Sequence, residues 1–219
     1  MNRWFACCIL TLTVAACRAP QRPEMRNPVP TPASVEALAA AIDSDARRSD
    51  VTSDSRIRVE LATEAGRDAE SCMAREPANV VCLYGSAVAL GLEARAHPTH
   101  AGELLRTMLE RLAGAEAADA GYEHAGPTRV RALVLLRAPG WPLGPGDPDA
   151  GLAAARRAAA LRPEYPPNHL ALAEALAKTG DANGSRKSYE QARDLAQALP
   201  PAGDRDGWLR EADQGLRRN

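Results

Sequence analysis

Apolar residues recur at helical intervals along this chain, and nine stretches of that kind lie between residues 34 and 216. Ser34 stands as an N-cap before Val35, Leu38, Ala39 and Ile42, and the polar run Asp43 to Asp54 reads as the end of that first helix. A longer helix is predicted from Ser55 to Arg75, with Ile57, Leu61, Ala65, Ala69 and Cys72 on one stripe and Pro77 as its stop. Val81, Tyr84, Ala87, Val88, Leu92 and Ala96 define the next, from Val80 to Ala96, and the short Glu76 to Asn79 turn makes these two antiparallel neighbours. Thr99 to Ala118 follows, with Leu104, Leu105, Met108, Leu109 and Leu112 inward.

A turn from Asp119 to Gly126 precedes a short, very apolar helix carrying Val130 and Leu133 to Leu136, expected to be central and cut off at Pro139. Asp147 and Pro148 open a helix from Asp149 to Leu161 as N-cap and first-turn proline. The last pair carries Leu170, Leu172, Ala173 and Leu176 on one helix and Tyr189, Ala192, Leu195 and Leu199 on its return. Residues 203–217 then form an amphipathic cap with Trp208, Leu209, Ala212 and Leu216 inward.

Within Gly126 to Leu199 the same unit occurs twice, offset by 34 residues. Gly146-Asp147 recurs as Gly180-Asp181, and Gly151, Ala158 and Leu161 recur as Ser185, Ala192 and Leu195. That period of helix, turn and helix is the tetratricopeptide signature. The expected fold is all-α, an antiparallel helix-hairpin array of about nine helices with a C-terminal capping helix, spanning 34–219. Its clearest repeats are 127–163 and 166–199. Aromatics make up 4% of the chain, so Ala, Leu and Val must build the core and helix axes are expected to approach closely.

Residues 1–16 read as a targeting segment: Arg3 is followed by an uncharged run from Phe5 to Ala16, too short to span a bilayer. Val14-Ala15-Ala16-Cys17 resembles a bacterial lipobox, which makes Cys17 the expected lipidation site; an ordinary secretory leader cleaved near Ala16 is the alternative. Arg18 follows the cysteine and no Asp stands there to signal inner-membrane retention, so the periplasmic face of the outer membrane is the expected location. Residues 17–33 form a tether with five prolines, Pro20, Pro23, Pro28, Pro30 and Pro32.

Chemistry is sparse. A formal charge of -1 provides no field toward nucleic acid, and no nucleophile, base and orienting residue stand in a recognisable arrangement. Neither catalysis nor a cofactor is therefore expected. His97, His100 and Glu103 have ligand-like spacing, but His97 precedes Pro98 and sits off the helix, so no metal site is assigned. Cys72 and Cys82 lie five residues either side of Pro77, where they form either a disulfide or two buried thiols. The Pro139 to Pro148 loop presents Trp141, read as a lid on the hydrophobic edge of the repeat or as part of a binding surface.

The order Cys82-Leu83-Tyr84-Gly85, then Tyr122-Glu123-His124-Ala125-Gly126-Pro127, then Ala138-Pro139-Gly140-Trp141-Pro142 with Gly146-Asp147-Pro148, resembles the TatT component family over Val80 to Leu199. These are tetratricopeptide-like periplasmic lipoproteins associated with TRAP transporters. The resemblance implies a helical array with a pore or groove, self-association, and docking toward the transporter's substrate-binding protein. This chain departs from the generic repeat at His169 and Leu176, which take slots usually held by Trp and Tyr.

Two functions follow as expectations. One is a lipid-anchored interaction protein that binds a periplasmic protein or an extended peptide; the other is a carrier of a small hydrophobic ligand. The residues singled out for either are Tyr84, Tyr122, His124, Arg129, Arg131, Trp141 and Tyr165.

Overall fold

The computed structural model describes residues 33–201 and 203–218, so Cys17 and the proline tether lie outside the described residues. Within them the chain is all-helical: α1 (Val35–Val51), α2 (Ser55–Arg75), α3 (Val80–Ala96), α4 (Ala101–Ala118), α5 (Tyr122–Arg137), α6 (Pro148–Leu161), α7 (Pro166–Lys178), α8 (Ala182–Gln197) and α9 (Arg205–Arg218). Each helix packs on the next as an antiparallel neighbour, and α3 also touches α1, α5 touches α7, and α7 touches α9. Thus α1 and α3 run side by side, as do α5, α7 and α9, each set beginning at one edge.

The starts are fixed by side chains. Ser34, Asp54, Asn79, Asp147 and Asp181 each accept from a backbone amide of the first turn of the helix that follows, satisfying donors that have no partner inside the helix. The two repeats share this device closely: Asp147 accepts from the Ala150 amide at 3.0 Å and Asp181 from the Gly184 amide at 2.8 Å. Gly151 and Ser185, and Ala158 and Ala192, are buried in both copies. A Cβ at Gly151 would stand 2.8 Å from Cγ of Leu136, so α5 and α6 approach as closely as they do only because that position has no side chain.

Three expectations need correction. Helix α1 does not stop at Ile42 but runs to Val51, because Asp45 and Ser49 continue the Val35, Leu38, Ile42 stripe and are buried with partners in place. Asp45 accepts from Arg48 at 2.9 Å, and Arg95 of α3 donates to Ser49 at 2.9 Å and to Asp50 at 2.7 Å. Ile57 leads its stripe only in the sequence pattern; it is 40% exposed, one turn before the contact surface begins at Leu61. Leu199 lies beyond the end of α8 and is exposed. The short helix α5 buries Ala132, Leu135 and Leu136, and α3, wedged among α1, α2 and α4, is equally central. Among the described residues no helix is long and apolar enough to cross a membrane.

Of the two options for Cys72 and Cys82, the structure takes the disulfide, with Cα atoms 5.2 Å apart. The bond joins the end of α2 to the start of α3 beneath Val35 and Leu38 of α1. Closing a segment with a sequence separation of 10 removes denatured-state entropy equivalent to about 2–3 kcal/mol. Urea unfolding with and without reductant should therefore show a loss of that size. An unchanged midpoint would mean that the hairpin is held by packing alone.

Candidate functional site

The site grows from the connection between α4 and α5. Asp119 ends α4 and accepts from the Gly121 amide at 2.8 Å, which turns the chain. Glu123, His124 and Ala125 then adopt φ values of 47°, 55° and 63°, three consecutive non-glycine residues in the left-handed region, and right-handed geometry resumes only beyond them. Such a conformation costs roughly 1–2 kcal/mol per L-residue, so something must hold it.

Asn168 holds it. This residue of α7 is wholly buried, and its Nδ2 donates to the carbonyls of His124, Ala158 and Arg162, each at 3.1 Å. An amide nitrogen has two hydrogens, so one is shared between two acceptors. Its Oδ1 accepts from Arg129 at 3.0 Å, and the same Arg129 nitrogen also donates to the His124 carbonyl at 3.1 Å. One amide thus joins the turn, the end of α6 and the start of α5. Gly126 completes the fit: a Cβ there would stand 3.0 Å from the Tyr84 hydroxyl and 3.0 Å from the Glu123 Cβ.

The turn delivers side chains to a common face. Tyr84 of α3 meets Tyr122 edge-on with ring centroids 5.6 Å apart. His124 stacks on Tyr165 at 4.4 Å, and Tyr165 meets Trp208 of α9 edge-on at 5.4 Å. The Arg129 guanidinium lies 5.1 Å from the Tyr165 ring centre. In a chain so poor in aromatics, four of the six Tyr and Trp side chains in the described residues gather here, where packing alone would spread them through the array.

Electrostatics show how far the face extends. Burial pushes the Tyr84 phenol up to about 12, against a lowering by Arg129. Tyr122 and Tyr165 are also raised, chiefly by burial, with Glu123 adding to both and Arg129 working against the rise at Tyr165. Asp43 of α1 acts on Tyr122, and Asp204, just before α9, acts on Tyr165. Arg47 of α1 is raised chiefly by its hydrogen bond to and charge attraction from Asp43, with Asp204 and Glu123 adding to it.

Five of the seven residues singled out in the sequence are brought together: Tyr84, Tyr122, His124, Arg129 and Tyr165. Arg131 is not among them. Two positions on from Arg129, it leaves the opposite flank of α5 and pairs at 3.4 Å with Glu116, a buried carboxylate that Arg157 of α6 also approaches at 3.8 Å. Trp141 is likewise absent, lying past the far end of α5, about 17 Å along the helix from Gly126.

Nor is Trp141 a lid, since it is 88% exposed and Leu143 76%. The loop bonds to itself, with Gly146 donating to the Pro139 carbonyl at 2.9 Å and Leu143 to the Gly140 carbonyl at 3.1 Å. Its tip lies with its backbone against the start of α4, where Arg106 donates to the Pro142 carbonyl at 3.4 Å, which leaves the Trp141 and Leu143 side chains outward. Sequence reasoning gave no site role to Asn168, Glu123, Asp204, Arg47 or Trp208. The first four are polar residues at helix ends or on exposed flanks, and Trp208 fitted a capping helix.

Two other features are less suited to a site. A groove of about 770 Å³ between α5, α7 and α9 is lined by Arg137, Glu174, Lys178, Arg210, Glu211 and Arg218, and is crossed by the two-pronged Arg137–Glu174 pair at 2.9 and 2.6 Å. His169, which takes the repeat's Trp slot, is buried and bonded to the Pro163 carbonyl at 2.7 Å.

What fold and site define together is a helix-hairpin array with an aromatic face. No protein-family model matches this sequence, and a search of curated proteins finds no match.

The face carries a pH signature. Tyr84 has a folded pKa near about 12 and an ordinary unfolded value near 10, so the fold favours the neutral phenol. Its contribution is complete below pH ~10 and is lost as pH rises through ~12. Stability measured by urea should fall across that interval, and Tyr84→Phe should flatten the fall. Equal alkaline profiles for the two proteins would place Tyr84 outside the buried cluster.

Proposed function

We propose that this chain is a lipid-anchored interaction protein of tetratricopeptide type, whose aromatic face takes an extended segment of another periplasmic protein. The observation that carries this reading is the left-handed turn at Glu123 to Ala125, held by Asn168, which sets Tyr122 against Tyr84 of α3 and His124 against Tyr165, the cap of α7, itself in contact with Trp208 of α9. Backbone strain kept in place by a dedicated buried side chain is spent more often on function than on packing. Repeat arrays of helix pairs generally bind proteins along such faces. The Tyr122 to Pro127 and Ala138 to Pro142 segments that resemble the TatT component family enclose α5, and that resemblance points to a TRAP substrate-binding protein as partner.

A small hydrophobic-ligand carrier is the weaker reading. Trp141, one of the aromatic residues singled out for it, is remote from Tyr84, Tyr122 and Tyr165, so the aromatic residues do not line one groove together. The 770 Å³ groove is lined largely by charged side chains.

Anchoring and binding are tested separately. Cys17→Ser should move the protein from the membrane to the soluble fraction of a Gram-negative cell. A photo-crosslinking amino acid at Tyr122 should capture a periplasmic protein, and the same group at Arg156, exposed on α6, should not. Equal capture from the two positions, or none from Tyr122, would remove the assignment of this face.

A further inference from the structure

The aromatic face is polar in a particular way, and this deepens the proposed function on which it rests. Tyr122, Tyr165 and Trp208 are only half-buried, so ring surface remains accessible beside two exposed carboxylates, Glu123 and Asp204. Neither carboxylate closes an ion pair among the described residues. The array's own arginines show what such surroundings select. The Arg129 guanidinium lies against the Tyr165 ring, and Arg47, bonded to Asp43, faces the same carboxylates from α1.

Each carboxylate flanks a half-buried ring: Glu123 is next to Tyr122, and Asp204 stands one turn before Trp208, whose amide donates to the Asp204 carbonyl at 3.1 Å. From this pairing we infer that the segment bound here presents an arginine, whose guanidinium stacks on an open ring of the cluster against Glu123 or Asp204. A planar guanidinium uses a ring face and a carboxylate at once, which the compact ammonium of lysine does less well. The carboxylates come from two separate places, the left-handed first turn of α5 and the residue before α9, and the rings come from α5, the cap of α7 and α9. That spread suits an extended chain crossing the starts of α5, α7 and α9 better than a single small cation, which would need walls on several sides.

The test uses full-length protein in detergent and a fluorescein-labelled peptide repeating Ala-Pro-Arg-Pro, read by fluorescence anisotropy. Citrulline in place of arginine keeps the planar shape but removes the charge and exchanges two of the five N–H donors for a carbonyl oxygen, and should weaken binding about tenfold or more. Glu123→Gln and Asp204→Asn should each weaken the arginine peptide about fivefold and leave the citrulline peptide unchanged. Trp141→Ala, remote from the face, should leave both affinities as they are.

Free arginine amide should compete only weakly; competition as strong as the peptide's would make this a small-cation site and overturn the assignment of an extended segment. Equal binding of arginine and citrulline peptides, or no binding of either, would overturn the inference. In those cases protein capture from Tyr122 would still uphold the interaction reading. Peptide binding that depends on Glu123 without any capture from Tyr122 would retain the cation site and discard the periplasmic protein partner.

Discussion

One carboxamide carries the architecture of the face. Asn168 is buried without exposure and spends its side chain on three carbonyls and one guanidinium drawn from three parts of the chain. A buried amide whose hydrogen-bonding capacity is filled stabilises modestly, whereas the same groups left unpaired would each cost about 1–3 kcal/mol. The turn at Glu123 to Ala125 is unfavourable by a similar amount per residue, and nothing local to it, no glycine and no Asn or Asp at the three positions, relieves that. Strain and network therefore exist together, and the position of Tyr122 and His124 depends on both.

Around this point the array is assembled from small side chains. Gly151, Ala155 and Ala158 on α6 and Ala171, Ala173 and Ala175 on α7 are buried where longer residues would hold the helices apart. Close packing of this kind leaves little room for aromatic residues inside, which is consistent with their appearance on an edge. It also makes the two repeats unequal. The second closes with Gly180 at φ 89° and a tight turn into Asp181, while the first extends through the Pro139 to Pro148 loop. Both loops return a backbone amide of the capping Asp to the preceding helix, from Asp147 to the Leu135 carbonyl at 2.9 Å and from Asp181 to the Leu176 carbonyl at 2.8 Å, so the longer loop changes the surface without changing the register.

The helices were legible because their signals are local. Caps such as Ser34 and Asp147, stops such as Pro77 and Pro139, and stripes such as Leu61, Ala65, Ala69 act within a few residues. Where a long-range partner decided the outcome, the pattern misled. Asp45 and Ser49 looked like the end of α1 because Arg95, 46 residues beyond Ser49, is invisible to periodicity. Trp141 could be read as a lid or as binding surface, and what excludes the lid is again long-range: the loop backbone lies on the start of α4 through Arg106 and Pro142, which turns the indole outward. The candidate site was half legible. Its tyrosines, His124 and Arg129 stood out by type, whereas Asn168 did not, since its role depends on carbonyls 44, 10 and 6 residues away.

The central claim is that a buried amide, and not the local sequence, sets the left-handed turn that displays the aromatic face. Backbone torsions of Glu123, His124 and Ala125 derived from NMR chemical shifts and couplings, in the protein and in Asn168→Leu, test it most directly. The account expects left-handed torsions at all three residues in the parent protein, and their loss in the variant while α1 to α4 keep their shifts. Left-handed torsions that survive unchanged in Asn168→Leu would contradict it.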